Sequence, residues 1–231
     1  MPELRFKGVI FDLFGTLVSN WTEAVSIDMI TKMASTLNQP FDSLYSAWGG
    51  ELWRLMDGTH PDMEAMVVAA CAQIGHQPNV ADCQAATRIS LDTTIRALTP
   101  PVDAIPTLQA LQNAGIRCSL LSDCTPDVVE TWDAFLLSPF LDSPVFSCVV
   151  GMTKTNTSIF EIPCANLGLE PQECLYLADG YNNELTSAQQ TGMHSLQIRM
   201  DGDHGPTIGT IDDWGGPRIT SLDQLLPYLG L

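Results

Sequence analysis

The feature that most constrains this chain is a short apolar run that ends in one carboxylate and a glycine turn. Residues 8–18 read GVIFDLFGTLV, with Val9, Ile10 and Phe11 before Asp12 and Leu13 just after it. Hydrophobicity that is nearly unbroken suits a strand buried on both faces, and such strands belong to parallel sheets. Gly15 and Thr16 then turn the chain. Open α/β sheets bind ligands beyond the carboxyl ends of their strands. A carboxylate delivered there is placed to act as a nucleophile that divides one hard displacement into two easier ones.

Beyond Val18 the pattern changes. Ile27, Ile30, Met33, Ala34 and Leu37 recur at helical spacing, and the run stops at Asn38-Gln39-Pro40. Further helices are expected over residues 43–56, 63–74 and 80–98, with no strand pattern between them. Thr99-Pro100-Pro101 marks a boundary, after which helices alternate with short β-rich runs at 116–121, 145–150, 174–178 and 195–198. That alternation predicts an α/β fold, a doubly wound parallel sheet covered by helices, with right-handed crossovers. Residues 1–18 and 99–231 would form this core, and 19–98 an inserted all-helical segment. At 231 residues the chain is long enough to bury such a core. Residues 200–216, rich in Gly, Asp and His, are expected to be a surface loop.

Charge narrows the partners. Ten basic against 27 acidic residues give a formal charge of −17, a field that repels a phosphodiester backbone and anionic lipid. No nucleic-acid and no membrane partner is expected, and an anionic small molecule would need a local cation or metal to hold it. Seven cysteines are scattered without a CxxC pair, which reads as free thiols in a reducing compartment, Cys124 alone lying near the suspected site. Asp12 interrupts the apolar run nearest the N-terminus and no stretch reaches membrane-spanning length. A cytoplasmic location is therefore expected.

The ends of the other expected strands are consistent with the first. The second ends in Ser122, followed by Asp123; Lys154 follows the third within GMTKTN; the fourth, CLYLA, ends at Asp179, with Glu184 five residues on. A carboxylate, a hydroxyl, a lysine and an acidic pair at one sheet edge make a site for displacement on an anionic group. Structural roles also fit some of them. Asp123 ahead of Pro126 reads more readily as a helix N-cap or near-cap than as an acid, and Asp179 suits the cap of the helix that contains Glu184.

The set resembles the haloacid dehalogenase superfamily of hydrolases, in its residues, their order and the helical insert between the first two motifs. The resemblance implies a Rossmann-like core with a helical cap. It also implies roles: Asp12 as the nucleophile that forms an aspartyl ester, Thr16 and Ser122 as hydrogen-bonding partners of the transferring group, and Lys154 as the neutralising cation. In the family's phosphatases Mg²⁺ is held by the nucleophile, by the backbone carbonyl two residues on, here that of Phe14, and by fourth-motif acids, here Asp179 and Glu184.

Phe14 points elsewhere, because the phosphatases place a proton donor at that position and phenylalanine has none to give. An aromatic there is similar to the 2-haloacid dehalogenases, whose halide leaving group needs no proton. Their other marks are missing: Gly49 stands where their arginine belongs, Phe160 replaces a tyrosine, and Asp179 replaces a serine. Asp123 is the candidate substitute acid. Arg54 and Asp57 are candidate substrate contacts from the insert, where Asp57, His60 and Asp62 lie in a turn able to close over the site. The favoured expectation is Mg²⁺-dependent hydrolysis of a small anionic phosphate by a monomer or homodimer. Metal-independent dehalogenation and a non-catalytic binding protein remain the alternatives.

Overall fold

In a computed structural model, residues 6–200 and 213–231 are described, without the side chains of Trp53 and Leu55. Most of the loop expected over 200–216 therefore lies outside the described residues. The chain runs β1 (Gly8–Phe11), α1 (Glu23–Thr36), α2 (Phe41–Met56), α3 (Met63–Gln73), α4 (Val80–Ala97) and α5 (Ala104–Asn113). It continues with β2 (Arg117–Ser122), α6 (Pro126–Thr131), β3 (Val145–Phe146), α7 (Ser147–Val150) and α8 (Glu161–Leu167). The remainder is β4 (Cys174–Ala178), α9 (Glu184–Gln190), β5 (His194–Ile198), β6 (Arg218–Ile219) and α10 (Leu225–Leu229).

The six strands form one sheet in the order β3-β2-β1-β4-β5-β6, and every neighbouring pair is parallel. The central strand β1 is wholly buried, as its apolar run requires. Its register pairs Phe11 with Leu120 on one side and Leu177 on the other, so Asp12 leaves the sheet level with the ends of β2 and β4. Alternate residues serve opposite faces. Val9 and Phe11 pack with Leu120, Leu175 and Leu196 on one face, while Ile10 packs with Tyr176, Cys164 and Leu185 on the other.

Helices α1 to α4 have a hydrophobic core of their own, in which Met29, Ile30, Met33 and Leu37 meet Leu44, Met66, Val67 and Ala86. Local capping explains where these helices begin. Thr22 accepts from the Val25 N–H, Asp62 from the Ala65 N–H and Asn79 from the Asp82 N–H, each satisfying a donor that the first turn leaves open.

Two expectations need correction. The strand expected over 145–150 has only two residues, because Ser147 turns into the short helix α7. The Ser147 hydroxyl accepts from the Cys124 N–H at 3.0 Å and donates to the Cys124 carbonyl at 3.3 Å, a tertiary tie that overrides the β-branched valines after it. The sheet also gains β6, which at two residues is too short to show periodicity. No helix among the described residues is long and apolar enough to cross a membrane. All seven cysteines are free thiols, with Cys148 the least buried.

Candidate active site

Four strand ends converge on a cavity of about 230 Å³ between the sheet edge and the helical insertion. From the core come Asp12, Phe14, Ser122, Asp123, Lys154, Asp179 and Glu184. Trp21, Met29, Trp48, Leu52, Met56 and Met63 line it from the other side. Phe14 belongs to the apolar wall, its ring edge-on to Trp21 with centroids 6.0 Å apart.

At the base, the Lys154 ammonium bridges Asp12 Oδ1 and, at 2.7 Å, Glu184 Oε2. Tyr176 OH donates to the same Glu184 oxygen at 2.6 Å, and its ring lies 5.6 Å from Lys154 Nζ. Oε1 of Glu184 accepts from the N–H groups of Gly180 and Tyr181 at 3.1 and 3.0 Å. All four lone-pair directions of that carboxylate are thus engaged. Glu184 stands within 4.8 Å of the oxygens of Asp12 and Asp179, a buried trio able to hold a metal ion, and its bonding also ties it to Lys154 and to the Asp179 loop. Burial works against its charge, and Lys154 with Tyr176 outweighs burial, holding Glu184 below its ordinary range.

Asp12 and Asp179 have less compensation. Thr16 reaches Asp12 Oδ2 only at 3.4 Å. Burial, tempered by Lys154, lifts Asp12 to about 7. Asp179 accepts from the Asn20 amide at 3.2 Å, and no salt bridge reaches it among the described residues. Burial, with Glu184 and Asp12 adding to it, pushes Asp179 to about 9. Three buried carboxylates therefore face one ammonium, whose own pKa is pulled down by burial and raised on balance by Asp12 and Glu184. Such a set lacks positive charge at the point where Asp12 and Asp179 meet, and carboxylate oxygens there suit Mg²⁺. The loop after β1 can approach this closely because residue 15 is glycine. A Cβ at Gly15 would stand 2.6 Å from Asn20 Nδ2 and 2.8 Å from Asp179 Cγ.

The Ser122 hydroxyl is buried, lines the cavity and has no hydrogen-bond partner. It is the kind of orphan that a ligand oxygen would satisfy. Asp123 is not a helix cap. The N-cap of α6 is Thr125, and the Asp123 carboxylate instead accepts the Lys154 N–H at 3.0 and 3.2 Å, pinning the loop that delivers the lysine. Burial raises its pKa.

The insert residues expected at the site are elsewhere. Arg54 points outward and pairs with Glu51 at 3.3 Å. Asp57 is spent on Thr59, His60 on Glu51 at 2.6 Å and Asp62 on its own helix. None of these four lines the cavity. Sequence reasoning missed Asn20, Tyr176 and Gln197. Gln197 donates to the Asp179 carbonyl at 2.8 Å and accepts from Arg218 at 2.7 Å. Only Tyr176 left a signal, as a phenol inside an otherwise apolar strand.

A strand-end carboxylate is set against a buried lysine at the edge of a parallel sheet with a helical insertion, which makes this an α/β protein with an acidic site at its sheet edge. The sequence model of the haloacid dehalogenase-like hydrolases matches residues 6–192, and the chain belongs to that family. Over 226 residues, 95% of either chain, it is 21% identical to the glyceraldehyde 3-phosphate phosphatase of Methanocaldococcus jannaschii. It is 28% identical over 130 residues to the protein of the same name from Methanopyrus kandleri, a match that spans 55% of each. Against that relative the chain spans about half the length. A solved structure, the 2-haloacid dehalogenase of Pseudomonas syringae pv. Tomato DC3000, is similar in fold, with a TM-score of 0.68 at 18% identity over 97% of both chains.

Proposed function

We propose that this protein is a Mg²⁺-dependent phosphomonoester hydrolase acting on a small metabolite. The observation that carries the reading is the shortage of positive charge at the site: Asp12, Asp179 and Glu184 converge there, buried, with Lys154 as the only cation among the described residues lining the cavity. Asp12, Asp179 and the Phe14 carbonyl would hold the ion, with Glu184 bracing from behind. When bound it supplies charge against the phosphate oxygens and the nucleophile. The names of the two archaeal relatives, both glyceraldehyde 3-phosphate phosphatases, support a phosphate ester as substrate.

This chain's residues would divide the work as follows. Lys154 and the Ser122 hydroxyl bind phosphate oxygens, and Lys154 also orients the Asp12 carboxylate and favours its ionised form against burial. A carboxylate oxygen of Asp12 bonds to phosphorus as the bond from phosphorus to the ester oxygen breaks, leaving an aspartyl phosphate. Phe14 offers the departing alkoxide no proton, and Asp123, beside Ser122 with a pKa raised by burial, supplies it. Its carboxylate then takes a proton from the water that attacks the aspartyl phosphate, which restores Asp12 and releases phosphate. Asp57 and Arg54, turned away, take no part.

The dehalogenase alternative is disfavoured because a 2-haloacid carries a carboxylate, and the cavity offers it no cation beyond Lys154, already bridged between two acids. The deciding experiment measures phosphate release from a panel of monophosphates and halide release from 2-chloropropionate, each with Mg²⁺ and with excess chelator. Mg²⁺-dependent phosphate release is expected. Halide release unaffected by chelator would reverse the assignment.

A further inference from the structure

Resting on the phosphatase reading, we propose that Ser90 and Asp127 form a second polar subsite that selects phosphate esters whose leaving group is uncharged and bears a hydroxyl. Ser90 lies inside α4, and its Oγ is fully buried, lines the cavity and has no hydrogen-bond partner. A serine in a helix ordinarily bonds the carbonyl one turn back. This hydroxyl does not.

Asp127 of α6 lines the same cavity and is 4% exposed. Its Oδ2 accepts the hydroxyl of Thr94 and its Oδ1 that of Thr125. The backbone N–H groups of Asp127 and Val128 also turn toward this carboxylate, so it is a buried acceptor held in place from its own helix. Thr94 follows Ser90 by four residues on α4, a spacing that puts the two on one helix face. The packing of α4 on α6 therefore brings an unsatisfied hydroxyl and a buried carboxylate to one part of the cavity wall. An incoming hydroxyl answers both, donating to Asp127 and accepting from Ser90.

The rest of the cavity sets the charge and size of the ligand. Trp21, Met29, Trp48 and Met63 offer apolar surface around this subsite. Lys154 is the only cation among the described lining residues, so a carboxylate or second phosphate on the leaving group would meet Asp123 and Asp127 without a counter-charge. At about 230 Å³ the space is below the ~300 Å³ where pockets for drug-sized ligands begin, and it suits a leaving group of a few carbons.

The test compares kcat/KM for ethyl against 2-hydroxyethyl phosphate and propyl against 3-hydroxypropyl phosphate, with 3-aminopropyl phosphate as the cationic control. The parent, Ser90→Ala and Asp127→Asn are measured alike. The parent should favour the better hydroxylated ester over its deoxy partner by about tenfold or more, as a site built to bond a hydroxyl does, and each variant should cut that ratio by about tenfold. Ser90→Ala removes a hydroxyl without partners, so it alone decides the matter if Asp127→Asn fails to fold. A parent ratio near one, a ratio that Ser90→Ala leaves unchanged, or a preference for the aminopropyl ester overturns the subsite while phosphate release upholds the phosphatase reading. No phosphate from any ester overturns both.

Discussion

Replacing Gly15 by alanine tests whether the loop after β1 and the Asp179 carboxylate are built around each other. Gly15 has φ of +78°, in the left-handed region, where an L side chain costs about 1–2 kcal/mol. Alanine recovers about 0.5 kcal/mol of that by narrowing the unfolded ensemble. The new Cβ also collides with Asp179, whose Cγ would be 2.8 Å away. Oδ2 of the same carboxyl stands nearer still, so reaching ordinary contact requires a retreat of about 1 Å, and overpacking of this kind costs about 1–3 kcal/mol. The sum is about 2–4 kcal/mol, or a fall in Tm of about 5–15 °C for a chain of this size. Since a misplacement of about 1 Å can cost a hundredfold in rate, activity should fall about tenfold or more. Gly115→Ala is the control. Its φ is +77° and nothing stands within 4 Å of the added carbon, so it should lose about 1 kcal/mol and keep its activity. Calorimetry and phosphate release on both variants read the two effects separately. If Gly15→Ala matches Gly115→Ala in both, Asp179 does not depend on the close approach at residue 15.

Two further outcomes follow from the same geometry. Asp123→Asn keeps an oxygen for the Lys154 N–H and loses the transferable proton, so turnover of an alkyl phosphate should fall about a hundredfold, and far more than turnover of p-nitrophenyl phosphate, whose leaving group needs no proton; equal falls would assign Asp123 to positioning alone. Among the thiols, the hydrogen bond from Cys124 holds Cys148 below its ordinary range, while burial pushes Cys118 up to about 12. More thiolate at a given pH means faster alkylation, so mass spectrometry after brief iodoacetamide treatment at pH 8 should find Cys148 modified first and Cys118 only in denaturant, and the reverse order would refute the assignment.

How much of this was legible beforehand differs between fold and site. An apolar run that ends in a carboxylate, four stretches at helical spacing and a return to alternation are local patterns. Burial on both faces of a parallel strand imposes them residue by residue. The core strands 1, 2, 4 and 5 and three of the four inserted helices could therefore be placed to within two residues, while α1 begins at Glu23, four residues before the periodic run at Ile27. The same logic put Asp12, Ser122, Lys154 and Asp179 at the ends of strands or just past them, and the fold brings them together.

What each side chain does once it arrives was decided only in three dimensions. Glu184 was expected to bind metal, and the fold also sets Lys154, Tyr176 and two backbone N–H groups on its oxygens. Asp123 looked like a cap, yet it is a donor's partner 31 residues away. Arg54 looked available, yet it lies on the outer face of α2 beside Glu51. Ser90 and Asp127 carried no signal at all, because their relation exists only where α4 packs on α6. Periodicity is set by the local geometry of the backbone, whereas the partner of a polar group is whatever the packing of distant elements leaves within about 3 Å. Spacing along the chain holds no record of that distance.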